Sequence, residues 1–101
     1  MTESTPAVEK FGTRVRDRRL SLQLSQETVA KLANMNSSNY GKLERGLGNP
    51  EFHTLVRLAH VLNVDAGKLV EGIKADALPD KPRVFTAQEF LRERSKRPAE
   101  H

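Results

Sequence analysis

Residues 25–50 read SQETVAKLANMNSSNYGKLERGLGNP, and the punctuation of that stretch decides the fold. Ser25 is a good helix N-cap, and Gln26 and Glu27 suit a first helical turn. Val29, Ala30, Leu32 and Ala33 supply an apolar face. Asn34 tolerates the left-handed conformation that closes a helix, so this helix ends there. Met35 and Asn36 complete a tight turn. Ser37 is the next N-cap and opens a helix to about Arg45, with Tyr40 and Leu43 as a narrow inward edge. Gly46 stops it, and Leu47-Gly48-Asn49-Pro50 is a loop by residue type. Two short helices joined by a tight turn are the layout of a helix-turn-helix, which lays its second helix in the major groove of DNA.

On the N-terminal side, Val8, Phe11 and Val15 recur at helical spacing, with Leu20 at the end of the pattern and Ser21-Leu22-Gln23-Leu24 as a break. On the C-terminal side, Phe52, Leu55, Leu58, Ala59 and Leu62 form a single apolar stripe, read as core. Asn63 ends that helix. Asp65 can cap a short further helix carrying Leu69 and Val70, which Gly72 terminates. The expected organisation is a disordered tail over residues 1–7, a five-helix all-α domain over 8–73, and a linker and tail over 74–101. Within the tail, KADALPDKPR reads as linker. Thr86-Ala87-Gln88-Glu89 has the capping-box pattern, with Phe85 and Phe90 as a hydrophobic staple. That predicts a short extra helix over 87–95, with Val84, Phe85, Phe90 and Leu91 as its apolar groups.

Composition narrows the function. A chain of 101 residues that is 37% apolar holds one small helical core, marginally stable unless the protein associates. There are no cysteines, which excludes disulfides and cysteine-ligated metals and fits a reducing cytoplasm. No signal-peptide run and no stretch near the ~18 apolar residues of a membrane span occur. The net charge of +4 favours a polyanionic partner, and Lys10, Arg14, Arg16, Arg18 and Arg19 crowd just before the motif. No acid, base, nucleophile or metal constellation is present, so neither an enzyme nor a cofactor is expected. His53 and His60 have no third ligand in view and read as surface residues rather than a metal site.

The segment from about Phe11 to Glu71 resembles the Xre/Cro family of helix-turn-helix regulators. The matching pieces are Ser25-Gln26 followed by Ala30, the Asn34-Met35 turn, Tyr40 and Leu43 inward, Glu44-Arg45-Gly46, Pro50, and the helix of Leu55, Leu58, Ala59 and Leu62. The resemblance implies a compact lambda-repressor-like domain that binds double-stranded DNA, in a bacterial or phage protein of the cytoplasm that associates with the nucleoid. It also implies that Arg19 pairs with Glu44 and braces the reading helix. Carried over position by position, the base readers are Ser37, Ser38 and Lys42, with Asn39 nearby. Serine reads loosely, Lys42 favours guanine or a phosphate, and Asn39 suits adenine. Gln26, at a helix N-terminus, is a phosphate anchor, and its bland alternative is a solvated first-turn residue. Arg14, Arg45 and Asn49 are further phosphate candidates, with a solvated face as the alternative for the arginines. Two positions depart from the family. Tyr40 replaces an aliphatic residue and must send its hydroxyl to a partner or a phosphate. Gly41 lies inside the reading helix, where it costs about 1 kcal/mol against Ala.

One such motif reads few base pairs, so a two-fold dimer on half-sites about 34 Å apart is expected. Val61, Val64 and Val70 are dimer candidates, unless they close the monomer core, and Phe85, Phe90 and Leu91 could pack across the dimer. The leading reading is a transcriptional regulator, a repressor on a palindromic operator. No ligand domain follows, so control is expected from abundance or from a protein that binds the tail. The alternatives are an antitoxin whose tail folds onto a toxin, and a protein-interaction module that keeps the fold without operator binding.

Overall fold

The computed structural model describes residues 4–79 and 86–96. Its regular elements are α1 (Pro6–Ser21), α2 (Gln26–Leu32), α3 (Ser37–Glu44), α4 (Phe52–Val61), α5 (Ala66–Val70), a 3-10 turn (Ala75–Ala77) and α6 (Ala87–Lys96). Among the described residues, one isolated β-bridge joins Ser4 to Leu47. The architecture is the expected all-α one.

Local signals set most helix ends. Ser25 caps α2 by accepting from the Thr28 N–H. Asn34 and Asn63 take left-handed φ values of 56° and 52° just after α2 and α4, and Gly72 closes α5 at 74°. Two starts differ from expectation. α1 begins at Pro6, inside the expected tail, because the Thr5 hydroxyl caps it and proline fits the first helical turn. The cap of α3 is Asn36, whose side chain accepts from the N–H groups of Ser38 and Asn39. Ser37 is therefore the first helical residue and not the cap.

The core gathers Phe11 and Val15 from α1, Val29, Ala30 and Ala33 at α2, Tyr40 and Leu43 from α3, Leu58, Ala59 and Leu62 at α4, and Leu69 from α5. Phe52 is not in it. It is 74% exposed, because it stands on the first turn of α4 while burial runs along the later turns. Leu32 is likewise 61% exposed at the end of α2. Val61 and Val64 pack against the core, so they close the monomer, whereas Val70 is exposed. The 3-10 turn buries Ala77, so the start of the expected linker is part of the fold.

Arginines hold three helix C-termini, where the last carbonyls lack intrahelical donors. Arg18 donates Nε to the Leu62 carbonyl at 2.8 Å and Nη2 to that of Asn63 at 3.1 Å. Arg57 reaches the Ala33 carbonyl, and Arg14 the Leu69 carbonyl at 3.3 Å. Arg14 thereby belongs to the end of α5 and is withdrawn from the phosphate candidates. On α1 it lies about half a helical turn from Gly12 and Arg19, which face α3.

The tail helix forms as its capping box requires. The Thr86 N–H donates to Glu89 Oε1 and the Glu89 N–H to Thr86 Oγ1, both at 3.0 Å. From 86 to 95 no residue is buried. Val84 and Phe85, and with them the staple, lie outside the described residues.

Candidate nucleic-acid interface

α3 is held in place by a charge in the core. Glu44, at its last turn, has 2% of its side chain exposed, against 9% for Arg19. Arg19 reaches it from α1 with two donors, Nε to Oε2 at 2.6 Å and Nη2 to Oε1 at 3.0 Å. The third guanidinium nitrogen, Nη1, donates to the Leu24 carbonyl at 2.9 Å, ahead of α2. The Tyr40 hydroxyl donates to Oε2 at 2.5 Å, and Gln26 Nε2 donates to Oε1 at 2.8 Å. One carboxylate thus ties α1, α2 and α3 together.

The electrostatics follow from these bonds. Burial alone would push the Glu44 carboxyl up, but the donors from Arg19, Tyr40 and Gln26 outweigh it and hold the group below the usual carboxylate range. The hydrogen bond to Glu44 raises Arg19 against the opposing effect of burial. Tyr40 is pushed up by burial first and by the adjoining carboxylate second. All three stay in their neutral-pH states: Arg19 charged, Glu44 charged, Tyr40 protonated.

Close packing brings α1 against α3. A Cβ on Gly12 would lie 2.3 Å from the Leu43 carbonyl oxygen, an approach only glycine permits. With Tyr40, Leu43 and Glu44 turned inward, the opposite side of α3 is left to solvent. Ser37, Ser38, Asn39 and Lys42 are all exposed there. A shallow cleft beside them is lined by Met35, Asn39, Lys42, Leu47, Asn49 and Thr54. It brings the loop residue Asn49 next to two of the expected base readers. Arg45 is exposed at the end of α3, with Nη1 lying back over Gly41.

The sequence pointed to the Arg19–Glu44 pair through its resemblance, and the pair is present. It did not reveal that Gln26 and Tyr40 share the same carboxylate. Tyr40 to Glu44 is an i to i+4 spacing on one helix face, a signal that was available. The Gln26 contact joins two helices and had none.

A helix-turn-helix family model matches residues 15–69, more than half of the chain. The chain belongs to the Xre-like helix-turn-helix family. This helix-turn-helix protein is 34% identical over 65 residues to an HTH-type transcriptional regulator, YonR, derived from the SPbeta prophage of Bacillus subtilis (strain 168). The match covers 64% of this chain and 60% of YonR, so the helix-turn-helix protein spans less than two thirds of that relative. Among solved structures, it is similar to the restriction-modification controller protein C.AhdI from Aeromonas hydrophila, with 37% identity and a TM-score of 0.60 over 61% of this chain and 94% of that one. It is also similar to the P22 c2 repressor in complex with a synthetic operator, with 26% identity and a TM-score of 0.58 over 61% and 94% of the two chains. The family is one of DNA-binding transcriptional regulators. No helix among the described residues is long and apolar enough to cross a membrane.

Proposed function

We propose that the protein is a cytoplasmic transcriptional repressor that binds a palindromic operator as a homodimer, with α3 of each copy in the major groove. The observation that carries this reading is the polarity of α3. Its inward side is locked to α1 and α2 by the buried Glu44 bonds, and its outward side offers Ser37, Ser38, Asn39 and Lys42 to solvent. A rigid helix with free polar side chains is what base-edge recognition needs. Gln26, Arg45 and Asn49 take the flanking phosphates, which fix register and orientation. Val70, Phe90 and Leu91 serve the dimer, with Phe85 beyond the described residues.

A second reading is favoured by α6. Phe90 and Leu91 are 51% and 53% exposed on a helix too short to be stable alone in water. That supports a protein partner for the tail, as in an antitoxin that folds onto its toxin. Selection of bound duplexes from a random pool at stated salt tests the main reading. An inverted repeat with half-sites about one helical turn apart is expected, with binding weakened by Lys42→Ala. Recovery of no motif defeats it. Co-purification with a stoichiometric small protein that is lost on Phe90→Ser/Leu91→Ser is the result expected of the second.

A further inference from the structure

Three glycines border the contacts of α3, and they answer to different needs. Gly46 has a φ of 78°, in the left-handed region where a side chain is strained. Gly12 sits where α1 meets α3, and a Cβ there would run into the carbonyl oxygens of Leu43 and Glu44 at 2.3 and 2.8 Å. Gly41 has neither reason. It is a buried mid-helix residue outside the left-handed set. Among the described residues, a Cβ at 41 would meet two side-chain ends within 4 Å, Arg45 Nη1 at 3.3 Å and Gln26 Oε1 at 3.7 Å. Glycine is a poor helix former, so this choice works against α3 itself.

We propose that Gly41 is a positioning residue for the phosphate anchor: its missing Cβ leaves a floor on which the Gln26 amide and the Arg45 guanidinium converge to hold one DNA phosphate. The inference rests on the operator-binding reading above. The chemistry of the floor is ordered from below. Only an N–H can face a carboxylate oxygen, so Glu44 fixes Nε2 of Gln26 toward itself and turns Oε1 toward the Arg45 side. Nε2 keeps a second N–H for an anion. Arg45, one helical turn beyond Gly41, folds back over it and brings its cation beside that amide. A phosphate bound beside that amide meets the remaining N–H of Nε2, oriented by a buried carboxylate, and the charged Arg45 donor that lies over the bare helix face. An alanine at 41 would crowd the guanidinium, whose exposed end swings away without disturbing the core. The fold gains a better helix former, and the anchor loses its cation.

Binding of the duplex selected by the wild-type chain tests this, compared across Gly41→Ala, Arg45→Ala and the double variant, with thermal melts in parallel. Gly41→Ala is expected to melt higher than wild type yet bind about fivefold more weakly. In the Arg45→Ala background the same substitution is expected to change affinity little. Both single variants should show a shallower dependence of affinity on salt than wild type, since each withdraws a cation from a phosphate. Unchanged affinity for Gly41→Ala overturns the inference while leaving the operator reading intact. So does a full Gly41→Ala loss that persists without Arg45, because the glycine would then be making room for the DNA itself. A lower melting temperature for Gly41→Ala overturns it too, since the residue would be serving the fold. A wild-type chain that selects no motif removes the operator reading and this inference with it.

Discussion

The Glu44 side chain is buried and accepts hydrogen bonds from three residues, so its neighbours depend on it more than it contributes by itself. A buried ion pair adds little net stability over an apolar pair of the same shape, but removing one partner strands the other charge. Glu44→Ala is therefore expected to cost about 3–5 kcal/mol in chemical denaturation, with operator affinity falling alongside. Unchanged melting and unchanged affinity would contradict the bracing role. Tyr40→Phe removes one donor to a charged acceptor and is expected to cost about 1.5–3 kcal/mol. The pH dependence carries two signs. Glu44 titrates below its ordinary 4.5 in the fold, so its contribution is present above that value and lost as pH falls through the lowered one. Tyr40 titrates above its ordinary 10.0, so its contribution is full below pH 10 and lost as pH rises through the raised value. Urea midpoints followed against pH should show the gap between wild type and Tyr40→Phe narrowing above pH 10. A constant gap through the alkaline range would mean that the hydroxyl is not held as described.

At the scale of elements, α3 depends on a cap at its start and on a glycine in its neighbour. Asn36 satisfies two orphan N–H groups with one side-chain oxygen. Asn36→Ala should cost about 1 kcal/mol, read from a thermal or urea melt. Gly12→Ala is a harsher change, because the clash is with backbone that cannot turn aside. Moving α1 off α3 would also lengthen the Arg19–Glu44 bonds, and about 3 kcal/mol is the expected loss. A Gly12→Ala protein as stable as wild type would show that the two helices slide apart freely. The C-termini follow a common plan. α2, α4 and α5 each end on carbonyls held by an arginine from another helix, so the positive charge of α1 is partly structural.

For the whole molecule, the division falls between a packed unit and α6. Burial continues to Ala77 and is absent from 86 to 95. A chain ending at Pro79 should therefore unfold within about 0.5 kcal/mol of the full chain at a concentration where both are monomeric. Its operator affinity or association state should change if the tail serves a dimer or a partner. A large loss of monomer stability would mean that α6 packs on the helical domain. The exposed Phe52 belongs to the same scale, since a helix can keep a perfect apolar period and still overhang the body it packs against.

The elements and their stops were legible in the residues. Ser25, Asn34, Asn63, Gly72 and the Thr86–Glu89 box all act within a few residues of backbone, so local chemistry is enough to read them. Even the early start of α1 was written in Thr5-Pro6, where a polar, proline-bearing segment read as tail is a cap followed by a first turn. The exposure of Ser37, Ser38, Asn39 and Lys42 was legible as the outward complement of Tyr40 and Leu43, while the base-reading role given to them came from the resemblance. What each long side chain does emerged with the packed fold. It moved Arg14 from the phosphate candidates to the end of α5, drew Gln26 and Tyr40 onto the Glu44 carboxylate, exposed Phe52 and Leu32, and gave Gly41 its two neighbours. The physical reason is that periodicity fixes the angle of a residue around its helix, whereas burial and hydrogen-bond partners depend on where along the axis the helices cross, which no single helix encodes.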